Sequence, residues 1–142
     1  LTNCLLIRDP REMITSYILK NDMPEMEDLG IPQLLEVYER VLERTGAPPP
    51  IVDSRDVLED PRRVLGLLCE SVGVEFVEAM LAWPAGRRDS DGVWAPHWYD
   101  QVEQSTGFRG YRPKSEDVPE DLAGLLAECQ ACYDRLYADR LV

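Results

Sequence analysis

The hydrophobic and polar positions of this chain form short apolar runs separated by longer stripes of helical spacing. Residues 4–7 (Cys-Leu-Leu-Ile) make an unbroken apolar run that is too short for a buried helix and lacks the alternation of a half-exposed strand. Such a run is typical of a parallel strand that is covered on both faces. Residues 51–52 (Ile-Val) predict a second short strand, so the pattern favours an α/β fold with few parallel strands.

The segment directly after the first strand has the signals of a helix start. Asp9 is a favourable N-cap, Pro10 has the fixed φ of a first helical position, and Glu12 stands three residues after Asp9 as in a capping box. Apolar side chains then recur at helical spacing, at Met13, Ile14, Tyr17 and Ile18. The pattern therefore predicts a strand, a sharp turn and a helix.

The rest of the chain predicts helices joined by polar loops. Apolar periodicity, with Pro, Asp and Gly signals at the ends, predicts further helices over residues 32–44, 61–72, 75–81, from 96 to near 107, and after Pro119. Residues 21–30 are acidic and contain Pro24 and Gly30, so we expect a loop there. The polar stretch 109–117 is predicted to be a connection without regular structure.

The composition limits the chain to one domain or part of one, because it has 142 residues. Its 27 acidic and 15 basic residues give a net charge of −12, which disfavours nucleic acid and anionic membranes as partners. The sequence contains no run of 18 apolar residues and no signal-peptide pattern at its start. We therefore expect no membrane-spanning segment and a cytoplasmic location.

The four cysteines, Cys4, Cys69, Cys129 and Cys132, lie in apolar stretches, which is typical of reduced core thiols. Cys129 and Cys132 have the spacing of half a zinc site, but no further pair of ligands follows at a suitable spacing. We expect both thiols to be reduced and without metal on one helix.

The turn after the first strand is a candidate anion site. In open α/β sheets ligands bind at the carboxyl ends of the strands, and a helix N-terminus flanked by Arg8 and Arg11 suits a phosphate. The alternative is a strand and a helix in which the arginine only pairs with a nearby carboxylate.

The same residues have a resemblance to a known family. Arg8-Asp9-Pro10-Arg11-Glu12 followed by Ser16-Tyr17 resembles the 3′-phosphate-binding motif of the sulfotransferases that use 3′-phosphoadenosine 5′-phosphosulfate (PAPS). In that family the arginine and the serine of the motif both hold the 3′-phosphate of the nucleotide. The resemblance implies these two roles for Arg8 and Ser16.

A second stretch, residues 83–94, resembles the late Arg-Lys-Gly-x-x-Gly-x-Trp loop of the same family, which closes over the nucleotide. The resemblance implies that Arg87 and Arg88 are further phosphate ligands and that Gly92 lets the backbone approach the ligand. Trp94 would anchor the loop or pack near the ligand. The alternative is a surface loop held in place by its tryptophans.

The sequence also departs from the family pattern. Asp89 and Ala95 stand in the second motif where the family has other residues, and its first glycine is replaced. Ser54 occupies the place of a tyrosine that helps to hold the nucleotide in the family, so that contact is weakened or supplied elsewhere. We expect Asp56, which keeps its acidic place in the motif, to have a structural role.

No catalytic residue is predicted. His97 is the single histidine, but a histidine beside two aromatic residues is more often packed or solvated than catalytic. The family usually supplies its base from an N-terminal part, and this chain has no Gly-x-x-x-x-Gly-Lys-Ser/Thr loop.

The resemblance implies a P-loop NTPase-like three-layer sulfotransferase fold that is only partly present. We interpret residues 1–142 as the C-terminal portion of one such domain, mostly helical and without its N-terminal phosphate loop. We expect a strand edge that is bare, or covered by the missing part or by another chain.

The implied activity is transfer of a sulfuryl group from PAPS to a hydroxyl or amine of a small-molecule acceptor, which leaves adenosine 3′,5′-bisphosphate. This chain would supply the 3′-phosphate half of the donor site. Two alternatives remain open: another P-loop phosphotransferase, such as a kinase that binds a nucleoside triphosphate through Arg8 and Arg11, and a non-catalytic helical interaction module.

Overall fold

The computed structural model describes residues 2–88, 90–93, 99–114 and 116–142. The strands are β1 (Leu5–Ile7) and β2 (Ile51–Asp53). The α-helices are α1 (Pro10–Tyr17), α2 (Met26–Leu29), α3 (Ile31–Thr45), α4 (Ser54–Glu59), α5 (Pro61–Val72), α6 (Asp100–Glu103) and α7 (Ala123–Tyr137). Two short 3₁₀ helices span Glu78–Met80 and Glu120–Leu122.

The two strands pair in parallel, with Leu5 opposite Ile51 and Ile7 opposite Asp53. This confirms the two strands and their orientation. The prediction that the first strand is covered on both faces is wrong for the described residues, because the side chain of Leu6 is 61% exposed. An apolar run shows that both faces of a strand are apolar, but it does not supply the element that would cover the second face.

The outer edge of β2 is covered by the end of the chain. The N–H group of Leu141 donates a 2.8 Å hydrogen bond to the carbonyl oxygen of Ile51. Within the described residues β1 pairs only with β2, so the sheet has two strands there.

The core has two parts, and α7 contributes to both. One part lies between the sheet, α3 and α7 and contains Leu5, Ile7, Tyr38, Ile51, Tyr133 and Leu136. The other packs α1, α2 and the start of α3 against α7 and contains Ile14, Leu29, Ile31, Leu122 and Cys129. Because α7 packs against both the sheet and α1, it fixes the position of α1 relative to the strands.

The helix ends follow the sequence signals. The carboxylate of Asp60 accepts from the N–H group of Arg63, and Gly46 and Gly73 end α3 and α5 in the left-handed conformation that glycine tolerates. The long helices α3, α5 and α7 confirm the helices predicted over residues 32–44, over residues 61–72 and after Pro119.

The structure corrects several shorter predictions. Residues 26–29 form α2 inside the predicted loop, where the N–H group of Glu25 donates to Oδ2 of Asp28 over 2.8 Å. Residues 54–59 form α4, which begins where Oδ1 of Asp53 accepts from the N–H group of Arg55. The helix predicted over residues 75–81 shortens to three residues of 3₁₀ helix. Both helices that the sequence missed start at an acidic residue, a signal too common to predict a helix.

The cysteines are free thiols in the structure. Cys129 and Cys132 share α7, as expected, with Cys129 fully buried. Cys4 is exposed, so the prediction that it is a core thiol is wrong. No cluster of three metal-ligating side chains lies among the described residues. None of the described helices is both long and apolar enough to cross a membrane.

Candidate functional site

The candidate site lies at the carboxyl ends of the two strands. Arg8 follows β1 and Ser54 follows β2, so both lie at the same edge of the parallel sheet. A small cavity of about 150 Å³ there is lined by Arg8, Ser54, Tyr133 and otherwise apolar side chains. Position after a strand was the signal that predicted Arg8, and the structure confirms that position.

A second cavity, of about 390 Å³, brings Arg8 together with Ser16. Met13, Ser16 and Tyr17 contribute one face of α1 to its lining, and Lys20 follows them in the turn after the helix. Arg8 and Met13 also line the smaller cavity, so the two cavities are neighbours. The two residues that the first motif singled out therefore line one cavity.

The N-terminus of α1 is built by local hydrogen bonds. Oδ1 of Asp9 accepts from the N–H groups of Arg11 at 2.8 Å and of Glu12 at 3.3 Å, which confirms the N-cap. The second half of the predicted capping box is wrong. The carboxylate of Glu12 does not return to the backbone of Asp9, because it binds other groups.

Glu12 connects Arg8 to a distant part of the chain. Its Oε2 accepts a 3.1 Å hydrogen bond from Nε of Arg8, and its Oε1 accepts a 2.7 Å hydrogen bond from the hydroxyl group of Tyr111. Nζ of Lys114 donates to the carbonyl oxygen of Glu12 over 3.4 Å. The guanidinium of Arg55 lies 4.9 Å from the ring centre of Tyr111. Tyr111 and Lys114, from one distant segment, thus contact the first turn of α1 together with Arg8, and Arg55 packs on Tyr111.

No feature of the sequence pointed to Tyr111. It lies in the stretch predicted to be a plain polar connection, 99 residues from Glu12. The hydrogen bond to the Glu12 carboxylate, together with partial burial, raises the pKa of Tyr111 above its ordinary value of 10.0. The phenol therefore stays protonated and donates at neutral pH.

The carboxylate partner that the alternative interpretation of Arg8 requires is present. Of the three nitrogens of the Arg8 guanidinium, however, only Nε donates a hydrogen bond to Glu12. Neither terminal nitrogen hydrogen-bonds a described residue. The Arg8 side chain is 39% exposed and lines both cavities. The ion pair therefore leaves the outer part of the guanidinium available to an anion.

The second motif forms a turn in another place. The N–H group of Arg88 donates to Oδ2 of Asp91 over 2.8 Å, and the N–H group of Asp91 donates to the carbonyl oxygen of Arg88 over 3.0 Å. Arg87, Arg88 and Gly92 are exposed. Asp91 thus ties the loop through the Arg88 backbone, while Trp94 and His97 lie outside the described residues.

Arg88 lines its own cavity of about 460 Å³, together with Trp83, Asp91 and Glu103. Nε1 of Trp83 donates to Oγ of Ser105 over 2.9 Å, so a tryptophan does hold this part of the chain. Arg8 does not line this cavity, and Arg88 lines neither of the two cavities at the carboxyl edge of the sheet. Their convergence on one phosphate stays a prediction.

The residues after β2 have structural contacts. Oδ2 of Asp56 accepts a 2.7 Å hydrogen bond from Nε of Arg140, in a pair whose side chains are 13% and 20% exposed. This agrees with the structural role expected for Asp56. Ser54 stands at the first position of α4 and lines the small cavity beside Tyr133. Tyr133 is the tyrosine that lines this cavity together with Ser54.

The comparisons with known proteins identify the family. The sulfotransferase domain family matches residues 2–138. This chain belongs to the sulfotransferase family. A mostly helical chain with a small two-stranded parallel sheet fits part of a sulfotransferase domain, so the family and the coarse fold inferred from the first motif are confirmed.

Two curated relatives come from Arabidopsis thaliana: the branched-chain-amino-acid aminotransferase-like proteins 1 and 2. Each is 33% identical to this sulfotransferase-family chain over 132 residues, which is 93% of this chain and 23% of the relative. The chain thus spans less than a quarter of the length of these relatives. No solved structure matches the chain.

Proposed function

We propose that this chain supplies the 3′-phosphate half of a PAPS site in a sulfotransferase that sulfates a hydroxyl or amine of a small-molecule acceptor. In that reaction the bond from sulfur to the bridging 5′-phosphate oxygen breaks, and a bond from sulfur to the acceptor oxygen or nitrogen forms. The acceptor loses its proton to a base that we do not assign. The chain's own contribution is to position the nucleotide and to neutralise its charge.

The observation that carries the proposal is that Arg8 and Ser16 line one cavity at the carboxyl edge of the sheet. A guanidinium and a hydroxyl can both donate to phosphate oxygens, which supports these roles in a chain of the sulfotransferase family.

The charges of this cavity suit an anion. Arg8 and Lys20 line it with one carboxylate, that of Asp28. Although the chain has a net charge of −12, this cavity is lined by more cationic than acidic side chains, with the Glu12 carboxylate behind Arg8. The terminal nitrogens of Arg8 supply the donors that a 3′-phosphate needs.

The remaining parts of the site belong to the same proposal. Arg87 and Arg88 would add charge at the 3′-phosphate, Gly92 would allow close backbone approach, and Trp94 would anchor the loop. The phosphate loop for the 5′-phosphosulfate would come from the rest of the domain or from another chain that pairs with the open edge of β1. We place the reaction in the cytoplasm.

The test is a calorimetric titration of the full-length protein and of Arg8→Ala with adenosine 3′,5′-bisphosphate and adenosine 5′-monophosphate. One charge-assisted hydrogen bond contributes about 1.5–3 kcal/mol, so Arg8→Ala should weaken bisphosphate binding by about ten- to a hundredfold. Binding of the monophosphate should not change.

Three results would contradict the proposal. Equal losses for both ligands would mean that Arg8 supports the fold. Tighter binding of ATP than of the bisphosphate would favour a phosphotransferase. No binding of any nucleotide, and no rise in melting temperature with one, would favour an interaction module.

A further inference from the structure

We infer that Glu12 and Tyr111 are positioning residues that hold the Arg8 guanidinium in place for the 3′-phosphate. This inference rests on the proposed function. It adds a specificity role for two residues outside the motif pair of Arg8 and Ser16, one of them in the polar segment near the end of the chain.

The geometry is a chain of three side chains. The Tyr111 hydroxyl donates to one carboxylate oxygen of Glu12 over 2.7 Å, and the other oxygen accepts from Nε of Arg8 over 3.1 Å. Each oxygen of Glu12 has one donor, so the carboxylate cannot turn without losing a hydrogen bond. The inner nitrogen of Arg8 is thereby fixed, which restricts the rotation of the whole planar guanidinium.

Glu12 lies behind Arg8 with respect to both cavities. Arg8 lines both of them, whereas Glu12 lines neither. The Glu12 side chain is 12% exposed, compared with 39% for Arg8. A carboxylate that competed with phosphate would face the cavity, so this arrangement favours support of the arginine over blockage of the site.

Tyr111 is itself held in place. The guanidinium of Arg55 lies 4.9 Å from the centre of its ring, and Lys114, three residues further on, donates to the carbonyl oxygen of Glu12 over 3.4 Å. Nη1 of Arg11 lies 3.7 Å from Oδ1 of Asp117. Tyr111, Lys114 and Asp117 therefore each contact the first turn of α1, and the position of Arg8 depends on these contacts.

A side chain that is already ordered loses less freedom on binding its ligand. The hydrogen bond from the neutral Tyr111 hydroxyl to the Glu12 carboxylate helps to keep Arg8 ordered. Its loss should therefore weaken binding of adenosine 3′,5′-bisphosphate by about three- to tenfold. Binding of adenosine 5′-monophosphate should not change, because that ligand has no 3′-phosphate. A purely structural role would weaken both ligands alike, so the ratio of the two dissociation constants distinguishes the roles.

The experiment measures both dissociation constants by calorimetry in the full-length protein for wild type, Tyr111→Phe, Glu12→Ala and Glu12→Gln. Tyr38→Phe is the matched control, since the Tyr38 hydroxyl also donates to a carboxylate, that of Asp139, and neither residue lines a cavity that Arg8 lines. We expect a lower preference for the bisphosphate in Tyr111→Phe and Glu12→Ala. Glu12→Gln keeps an oxygen acceptor for Arg8 and should retain most of the preference, as should Tyr38→Phe.

The outcomes separate this inference from the proposed function. If wild type prefers the bisphosphate and Arg8→Ala loses that preference while Tyr111→Phe and Glu12→Ala keep it, the positioning role is wrong and the proposed function stands. Tighter bisphosphate binding in Glu12→Ala would show that Glu12 competes with phosphate, which also overturns the inference. If wild type shows no preference, the proposed function fails first. If Tyr111→Phe does not fold, the positioning role is tested by Glu12→Ala and Glu12→Gln alone. The inference then requires a lower preference for the bisphosphate in Glu12→Ala than in Glu12→Gln.

Discussion

The hydroxyl group of Tyr133 donates a 2.8 Å hydrogen bond to Oδ2 of Asp53, and both residues are buried. Asp53 ends β2, and its other oxygen accepts from the N–H group of Arg55 to start α4. One carboxylate therefore joins the terminal helix, the second strand and the helix after it. This junction lies beside the cavity that Arg8 and Tyr133 share.

Tyr133→Phe should lower the free energy of unfolding by about 1–3 kcal/mol, because a buried carboxylate oxygen loses its donor. Urea denaturation measures the change. Tyr137→Phe is the control, since Tyr137 lies on the next turn of α7 and its hydroxyl makes no hydrogen bond to a described residue. Equal losses in the two variants would count against the role of the Tyr133 hydroxyl.

Asp53 should give the protein a pH-dependent stability. Burial raises the pKa of Asp53 above its ordinary value of 3.8, although the hydrogen bond from Tyr133 opposes this. Between 3.8 and the raised pKa the folded state binds more protons than the unfolded state, so wild type gains stability as the pH falls. Asp53→Asn keeps an N-cap but does not titrate.

The measurement is the free energy of unfolding of wild type and Asp53→Asn at a series of pH values from 7 downward. The free energy of unfolding of wild type minus that of Asp53→Asn should increase as the pH falls through the raised pKa of Asp53, and it should level off below pH 3.8. A difference that moves in favour of Asp53→Asn on acidification would mean that folding lowers the pKa of Asp53.

Ser16→Ala should weaken binding of adenosine 3′,5′-bisphosphate by less than Arg8→Ala does, by about three- to tenfold, because it removes a neutral donor. The control is Ser71→Ala, which removes an exposed serine hydroxyl from α5. Isothermal calorimetry with both serine variants checks the result. A loss in Ser16→Ala that extends to adenosine 5′-monophosphate would contradict a contact with the 3′-phosphate.

The convergence of the two motifs can be tested by a double-mutant cycle on Arg8→Ala and Arg88→Ala. If both guanidinium groups contact one phosphate, their effects on bisphosphate affinity should be non-additive, with a coupling free energy above about 0.5 kcal/mol. Additive effects would show that Arg88 acts at a separate place. Arg40→Ala provides a control arginine on the exposed face of α3, where it pairs with Glu36.

The sequence predicted best what is decided within a few residues. Asp9 and Pro10 start α1 because their own backbone and side-chain preferences suffice, and the stripe of α3 needs only its own spacing. The same reasoning placed Arg8 at the end of a strand. The resemblance to the sulfotransferase family was recognised from this strand, turn and helix.

The sequence could not predict contacts between distant segments. Glu12 had the spacing of a capping box, but its carboxylate binds Arg8 and Tyr111, and only the packed fold brings Tyr111 to it. The exposure of Leu6 likewise depends on whether another element covers it, which its own apolar character does not decide.

Because Leu141 hydrogen-bonds to Ile51 at the outer edge of β2, a further strand can pair freely only at the β1 edge of the described sheet. A strand that added next to β2 would first have to displace the chain end from the Ile51 carbonyl oxygen, whereas one that added next to β1 would meet no described strand. A parallel strand that added next to β1 would end beside Arg8, since the carboxyl ends of parallel strands lie at the same edge of a sheet. A parallel strand that extends the sheet at β1 would therefore also bring its own carboxyl end, and the residues after it, next to Arg8.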